Sequence, residues 1–269
     1  MQFISGTDDS PIFPLDHLSF STLYWLLEGC LYKFYKKKLS GESFQYPETQ
    51  PMRRGTSFHA MIEHIVNMNT AGHIDDSRLI ELNSEQPEPL RDFMLDALCK
   101  YIVYNDLKGK CEYEFIWHVD RIPIHSFIDF ISGDIINGEY EIFDWKTSSR
   151  MDPINHKSAF QTIVYQLAVQ ELFKGDIVKQ PEIYRSSVVL FVPRMKDRKV
   201  EIRRMRYKVT PEQLEYTKRE LICQINYFIL LKKHNIWPKV RSKSCNKCIH
   251  RLECSPYIEE EPHGELDKL

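Results

Sequence analysis

The sequence lacks a hydrophobic run long enough to cross a membrane, and it lacks a segment with the composition of an export signal. The opening MQFISGTDDSPIF carries neither a basic region nor a long apolar one. The most apolar helical run, LICQINYFILL at 221–231, is short and is interrupted by Gln224 and Asn226. These absences predict a soluble protein with no membrane partner, located in the cytoplasm, or in a host cytoplasm if a phage encodes it.

The chain also has little net charge, −2 at pH 7, so total charge indicates no nucleic-acid partner. Two stretches are nevertheless basic. In 32–38 four lysines alternate with three aromatic residues, and 194–208 contains eight basic residues against two acidic ones. Cations bind backbone phosphates and aromatic faces stack on unpaired bases, so these stretches predict binding of DNA that is single-stranded or has free ends. The alternative is that both are ordinary solvated faces.

Several common catalytic motifs are missing. The sequence contains no G-x-S-x-G nucleophile turn and no H-E-x-x-H zinc-binding helix. The segment GDIINGE at 133–139 has the glycine spacing of a phosphate-binding loop, but Glu139 stands where that loop needs a lysine. We therefore exclude ATP binding at this segment.

The periodicity of the sequence changes twice, from helical to strand-like and back, without an internal repeat. With 269 residues, 42% of them hydrophobic, the chain can bury one large core. The order of elements predicts an α/β fold with a mixed central β-sheet flanked by helices. We predict a single domain over 1–258, with its core at about 53–210, and an acidic disordered tail at 259–269. The predicted helices cover 19–39, 53–67, 90–104, 158–173 (strongly amphipathic) and 211–233; the predicted strands are CEYEFIWHV, PIHSFIDFIS, GEYEIFDWKT, SSVVLFVP and KVEIRRMRYKV.

The segment IFDWKTSSR at 142–150 places an acid and a lysine two residues apart at the end of an apolar run. In a β-strand Asp144 and Lys146 project to one face, while Phe143 and Trp145 project to the other. Asp129 lies in the preceding strand, and neighbouring strands are only about 5 Å apart, so two carboxylates could share a hard cation such as Mg²⁺. The alternatives are a surface pair of little energetic consequence and a turn that begins at Asp129.

Two more polar pairs lie on predicted helices. His59 precedes Glu63 by one helical turn, and Gln161 and Tyr165 share a face of a later helix. Each pair by itself has an ordinary packing explanation. In chain order, however, R-G-x-x-x-H, I-D, D-x-K-T-S and Q-x-x-x-Y resemble the RecB-like branch of the PD-(D/E)xK nuclease superfamily over about 54–165.

This resemblance implies a restriction-endonuclease-like core and a set of roles. Lys146 would position or help deprotonate the attacking water and stabilise charge on the phosphate. Gln161 and Tyr165 would contact the nucleic-acid strand. The chain departs from the family pattern at Ser126, where a glycine is common, and at Asp144, where glutamate is frequent. The implied ligands of Mg²⁺ or Mn²⁺ are His59, Asp129 and Asp144, with the Trp145 carbonyl as a further candidate.

The seven cysteines are an odd number, which favours reduced thiols or metal ligands over disulfides. SCNKCIHRLEC groups Cys245, Cys248 and Cys254, and a closed site needs a fourth ligand. The candidates for this fourth ligand are Cys30, His250, Cys99, Cys111 and Cys223.

The stretch LEGCLYKFYKKKL resembles the C-P-x-x-F-Y-Y signature of RecB-like nucleases with an iron–sulfur cluster, with Leu31 in place of the proline. The same cysteine layout is found in the CRISPR-adaptation nuclease family, AddB and related exonucleases. The resemblance implies a four-iron four-sulfur cluster on Cys30 and the three later cysteines, joining helical parts at about 19–40 and 234–257. A zinc site is the alternative. We predict that the other three cysteines are core residues.

The function implied by the resemblance is a Mg²⁺- or Mn²⁺-dependent DNA nuclease, an exonuclease acting on single strands or ends. It would work in recombination, repair, replication or CRISPR spacer processing, with a helicase or a recombination or CRISPR-adaptation protein as partner. Two alternatives remain open: a catalytically idle DNA-binding or scaffold protein with the nuclease fold, and a zinc-stapled RNA-binding module.

Overall fold

The computed structural model of the chain describes residues 18–40, 50–71, 76–84, 86, 88–120, 122–148, 156–239, 245, 248 and 254. The predicted acidic tail at 259–269 and most of the predicted cluster-binding part at 234–257 lie outside the described residues. The chain divides into two compact units. We call 17–20 with 46–222 the core unit, and 1–16 with 21–45 and 223–269 the cysteine unit. The single domain over 1–258 stays a prediction.

The described helices and strands agree with most of the predicted elements. In chain order they are β1 (Leu18–Ser19), α1 (Phe20–Glu28), α2 (Leu31–Lys38), α3 (Gln50–Ala71), α4 (Asp76–Ser84), α5 (Glu88–Tyr104), β2 (Gly109–Val119), β3 (Ile122–Asp134), β4 (Glu139–Thr147), α6 (His156–Leu172), β5 (Tyr184–Arg194), β6 (Lys199–Val209) and α7 (Pro211–Lys233). Within these described residues, no helix is both long enough and apolar enough to span a bilayer.

The predicted mixed sheet is confirmed. Strands β2, β3 and β4 form an antiparallel meander, β5 is parallel to β4, and β6 is antiparallel to β5. Strand β3 pairs with β2 along most of its length. On its other side, its beginning pairs with β1 and its end pairs with β4. The last pair between β3 and β4 is Phe130 with Phe143, so Asp129 and Asp144 lie where the two strands separate.

Three predictions for the helices need correction. The helix predicted over 19–39 is two helices, because Cys30 has an extended backbone (φ −80°, ψ 112°) between α1 and α2. Helix α4 was not predicted at all. Helix α6 is not a surface helix with one apolar stripe, since the six consecutive residues 164–169 are all buried. A helix buried on all sides in its middle is typical of a central position against a sheet.

The sheet is covered by helices on the side that carries Phe143 and Trp145. Helices α3 and α5 pack there, with Phe58, Met61 and Leu98 fully buried. Helix α6 reaches β4 and β5 through the amide of Gln166, which donates to Ser186 Oγ at 2.9 Å. The alternation of side chains along β4 therefore places the Asp144 and Lys146 side chains on the opposite side from the Trp145 core.

Within the cysteine unit, α2 packs against the end of α7 and the segment after it. The ring of Phe34 meets Phe228 edge-on at 5.5 Å, and Tyr35 stacks on Trp237 at 4.7 Å between ring centroids. The backbone N–H of Tyr32 donates to the carbonyl of Pro238 at 3.1 Å. Residues distant in sequence are therefore adjacent in this unit.

Candidate functional site

Where β4 separates from β3, side chains instead of a neighbouring strand contact the polar backbone groups of Trp145. The backbone N–H of Trp145 donates to Asp129 Oδ2 at 2.7 Å. The carbonyl of Trp145 lies 3.1 Å from His59 Nε2. In a continuous sheet both backbone groups would pair with a neighbouring strand. Here the termination of pairing brings an acid, an imidazole and a backbone carbonyl together at one point.

His59 reaches this point from α3, and a residue that the sequence did not reveal lies beside it. The Nδ1 atom of His59 is 3.2 Å from Glu112 Oε1 and 3.6 Å from Asp129 Oδ1. His59, Glu112 and Asp129 each offer one ligand atom, and these three atoms lie within 4.8 Å of one another. Glu112 belongs to β2, so the site draws on two adjacent strands and a helix.

The Asp144 and Lys146 pair lies beside this group, since the charges of both residues act on Asp129. Lys146 Nζ donates to Asp144 Oδ1 at 2.7 Å, as their shared face predicts. The face is not solvated, however, because Asp144 is 0% exposed. Its second oxygen, Oδ2, is buried and has no hydrogen-bond partner among the residues that the structure describes. A buried carboxylate oxygen without a donor is destabilising unless another group satisfies it.

The electrostatics of the site follow from burial and from the close carboxylates. Burial, with repulsion from Asp144, raises the pKa of Asp129 to about 7. Burial alone would lower the pKa of His59, but the charges of Asp129 and Glu112 outweigh it and raise the pKa. Burial would likewise lower the pKa of Lys146, yet Asp144 and Asp129 raise it. Lys146 is therefore an ammonium at neutral pH.

Gln161 and Tyr165 lie on one face of α6, as predicted. Gln161 Nε2 donates to the hydroxyl of Tyr165 at 2.7 Å, and Tyr165 is only 4% exposed. Burial raises the pKa of Tyr165 well above its usual value, and the carboxylates of Asp129 and Asp144 raise it further. The hydroxyl therefore lies in the electrostatic field of the two acids and stays protonated.

The donor set fits a divalent hard cation. Carboxylate oxygens, a backbone carbonyl and one imidazole are ligands typical of Mg²⁺ and Mn²⁺, and the unpaired Asp144 Oδ2 is an oxygen in need of a positive partner. Burial raises the pKa of the Cys111 thiol to about 12, and the charge of Glu63 is the next largest cause. Glu63 therefore lies close to Cys111, the residue before Glu112. Cys111 therefore stays protonated, which disfavours it as a ligand.

The four cysteines of the predicted cluster site lie near one another in the cysteine unit. Burial raises the pKa of Cys254, and the neighbouring thiols of Cys30, Cys245 and Cys248 contribute to the rise. The backbone N–H of Cys248 donates to the carbonyl of Cys245 at 3.0 Å. The four cysteines therefore lie in one region of this unit, and a metal site that they share stays a prediction. His250 lies outside the described residues.

The prediction for the remaining cysteines is partly wrong. Cys99 and Cys111 are partly buried and pack against the apolar core, as expected. Cys223 is exposed, although its sequence neighbours are apolar. It occupies the outward side of α7, so the apolar run around it forms a stripe and not a fully buried segment.

The basic stretch at 194–208 is only partly available to a ligand. Arg204 turns inward, where it pairs with Glu141 at 2.7 Å and lies over the ring of Phe143 at 4.8 Å. Arg194 pairs with Glu201 at 2.6 Å. Some cations of this stretch therefore stabilise the sheet, and binding of DNA by the others stays a prediction. Exposed basic residues of β6 are Lys199, Arg203, Arg206 and Lys208.

Comparisons with known proteins agree with this geometry. The sequence matches the family described as the PD-(D/E)XK nuclease superfamily over residues 17–255. The fold is similar to the crystal structure of a "Putative exonuclease" from Eubacterium rectale, with 13% identity, 93% of each chain covered and a TM-score of 0.54. A crystal structure of SSO0001 matches at 12% identity over 78% of this chain and 98% of that one, but its TM-score of 0.37 supports no argument. Among curated proteins, none matches.

Proposed function

Because the chain belongs to the PD-(D/E)XK nuclease superfamily, we propose that it is a Mg²⁺- or Mn²⁺-dependent deoxyribonuclease acting as an exonuclease on single-stranded or frayed DNA ends. The observation that carries the proposal lies where β3 and β4 separate: His59 and Asp129 both contact the backbone of Trp145, and the two neighbours of Trp145 in β4, Asp144 and Lys146, pair with each other. These residues come from a helix and two strands, and surface residues of a sheet have no reason to converge in this way.

In the proposed mechanism Asp129, Asp144, His59 and the Trp145 carbonyl would hold the divalent ion. When bound, such an ion lowers the pKa of a water and neutralises charge on the phosphate. Asp129 and Asp144 must be ionised to bind, and His59 must offer an unprotonated nitrogen. Because burial raises the pKa of Asp129 to about 7, Asp129 would have to lose a proton near neutral pH in order to hold the ion.

The Lys146 ammonium is proposed to stabilise the phosphate. Its bond to Asp144 fixes the Nζ position, and its raised pKa keeps the charge in place. A fixed positive charge that meets negative charge as it develops in the transition state lowers the barrier without reorganisation. This makes an electrostatic role more favourable than the role of a base that removes a proton from water.

Gln161 and Tyr165 are proposed to orient the nucleic-acid strand beside the carboxylates. The Tyr165 hydroxyl stays protonated, so it can donate to a phosphate oxygen. Gln161 already engages that hydroxyl, and its own oxygen can contact the strand. The proposed partners beyond DNA are a helicase or a recombination or CRISPR-adaptation protein that supplies free ends.

We further propose that Cys30, Cys245, Cys248 and Cys254 hold a four-iron four-sulfur cluster, with zinc as the alternative. The effect of Cys30, Cys245 and Cys248 on the pKa of Cys254 supports a common location for the four thiols, and four thiolates are the ligand set of such a cluster. Cys248→Ala should lose the metal and much of the soluble yield together. Iron, sulfide and zinc analysis of anaerobically prepared protein distinguishes the two ions, and full solubility without any metal would contradict both.

The nuclease proposal is tested with end-labelled DNA. Purified protein should degrade a linear single strand with Mn²⁺ or Mg²⁺, should spare a circular single strand, and should be inactive with EDTA. Lys146→Ala should remove activity and leave the circular-dichroism spectrum unchanged. Cleavage of the circle would replace the exonuclease assignment by an endonuclease. Cleavage that persists in EDTA, or full activity of Lys146→Ala, would refute the assigned site.

A further inference from the structure

Glu112 has an unusual backbone conformation within β2. Its φ is +44°, in the left-handed region that residues other than glycine rarely adopt. The two flanking side chains, which a regular strand would direct to the same face, contact different parts of the core unit. Cys111 packs against the cluster that contains Trp145, whereas the Tyr113 ring contacts Phe173, just after α6. The register with β3 is the same on both sides of Glu112, with Cys111 opposite Phe130 and Tyr113 opposite Ile128, so the face that the side chains occupy changes at Glu112 while the strand continues.

The Glu112 side chain contacts His59. Glu112 Oε1 lies 3.2 Å from His59 Nδ1, while Nε2 of the same ring lies 3.1 Å from the carbonyl of Trp145. Adjacent ligands of an octahedral ion with bonds of about 2.1 Å are about 3 Å apart, so Nε2 and this carbonyl have the spacing of two neighbouring ligands. Nδ1 is then the nitrogen left for an outer partner.

We propose that Glu112 is a positioning residue that accepts the Nδ1–H of His59 and thereby presents Nε2 to the divalent ion. This inference rests on the proposed function. Histidines that bind metals usually donate their other ring N–H to a carboxylate or carbonyl, which fixes the tautomer and the ring orientation. Glu112 fits this role because its carboxylate reaches Nδ1, and because β2 holds it there in a conformation that its own chemistry does not favour.

A competing role is that Glu112 is itself a ligand of the ion, since its carboxylate oxygen, a ring nitrogen of His59 and a carboxylate oxygen of Asp129 lie within 4.8 Å of one another. The two roles differ in how they depend on His59. A positioning residue acts through the imidazole, so its effect disappears when the imidazole is removed. A ligand contributes its own charge and bond, so its effect persists.

The test is Mn²⁺ binding to the full-length chain, measured by calorimetry after metal removal. Glu112→Ala should weaken Mn²⁺ binding by about 10- to 100-fold, the usual effect of losing an outer partner. Glu112→Gln should stay within about threefold of wild type, since its amide oxygen still accepts the Nδ1–H. In a His59→Ala background, Glu112→Ala should have no further effect. The proposal would be overturned if Glu112→Ala and Glu112→Gln lost equal Mn²⁺ affinity and if this loss also appeared in the His59→Ala background. Glu112 would then be a ligand of the ion.

Two further variants separate this role from a structural one. Glu112→Gly should keep or raise the melting temperature, because glycine adopts a positive φ freely, yet it should weaken Mn²⁺ binding as much as Glu112→Ala. Glu114→Ala is the matched control. Glu114 also pairs with a histidine, His125 Nε2 at 2.7 Å, but outside the site, and its loss should leave Mn²⁺ affinity unchanged.

The outcomes distinguish the two proposals. If wild type binds Mn²⁺ and cleaves DNA while Glu112→Ala binds Mn²⁺ normally, the inference about Glu112 is wrong and the proposed function stands. If wild type binds no Mn²⁺ and cleaves no DNA, the proposed function fails and the inference fails with it.

Discussion

The two halves of strand β4 carry similar charged residues in different surroundings. The first half pairs with β3 and β5, and its Glu141 accepts hydrogen bonds from Arg204 and Ser187. The second half pairs with β5, and its Asp144 binds Lys146 through one oxygen and leaves the other without a donor among the described residues. One carboxylate is thus satisfied by the fold, and the other is not.

The difference separates a structural ion pair from a site. Folded proteins satisfy nearly all buried polar atoms, because an unsatisfied one is destabilising. The Glu141 cluster follows this rule. Asp144 departs from it at the place where β3 turns away and where Asp129 and His59 converge. We infer that the fold tolerates the unpaired oxygen because a bound cation satisfies it.

The largest expected effect is on nuclease activity, where replacement of Asp144 and replacement of Glu141 should have different consequences. Asp144→Asn should reduce nuclease activity by at least about 10³-fold, since it removes a proposed metal ligand and the partner of Lys146. The variant should fold normally. Glu141→Gln should retain most activity per folded molecule. Initial rates on a labelled single strand, scaled to the folded fraction, provide the measurement, and similar losses in both variants would abolish the distinction between the halves of β4.

The next effect concerns stabilisation by metal. At a Mn²⁺ concentration about 100 times its dissociation constant, wild type should gain about 3 kcal/mol of unfolding free energy, because the ion binds the folded state. Glu141→Gln should gain the same unfolding free energy from Mn²⁺, although its metal-free form should be less stable than that of wild type. Asp144→Asn should gain little. Denaturant unfolding with Mn²⁺ and with EDTA measures these gains, and an undiminished gain in Asp144→Asn would show that the ion binds elsewhere.

A third effect is the pH dependence of the metal-free protein. The folded state holds a proton on Asp129 up to a pH of about 7, whereas the unfolded state releases it near 3.8. Stability should therefore fall as pH rises through this window and level off above it. Relative to Asp129→Asn, wild type should lose about 3 kcal/mol between pH 5 and pH 8 in EDTA. A constant difference between the two proteins would show that Asp129 does not titrate in this range.

Sequence periodicity predicted much of this arrangement for identifiable reasons. The side-chain alternation of a strand placed Asp144 and Lys146 together, and the succession of β-rich runs gave the meander. Side-chain alternation could not distinguish Glu112 from Glu114, because the two residues are two positions apart in β2 and a regular strand would direct both to the same face. The left-handed backbone at Glu112 separates them, and it depends on contacts distant in sequence. Helix α4 is short and mostly polar on its surface, so it gave little periodic signal.

The smallest expected effect extends the comparison to two neighbouring arginines of β6. Arg204 points inward to Glu141, so Arg204→Ala should lower stability by about 1 to 3 kcal/mol by leaving that carboxylate half-buried and poorly paired. Arg203 is exposed on the other side of the strand. Arg203→Ala should leave stability unchanged and weaken single-stranded DNA binding by only a few fold, with a smaller salt dependence, since it removes one phosphate contact. Fluorescence anisotropy at two salt concentrations, measured in EDTA to prevent cleavage, tests this expectation. A loss of stability in Arg203→Ala, or a loss of DNA affinity in Arg204→Ala that exceeds its unfolded fraction, would reverse the assignment of the two residues.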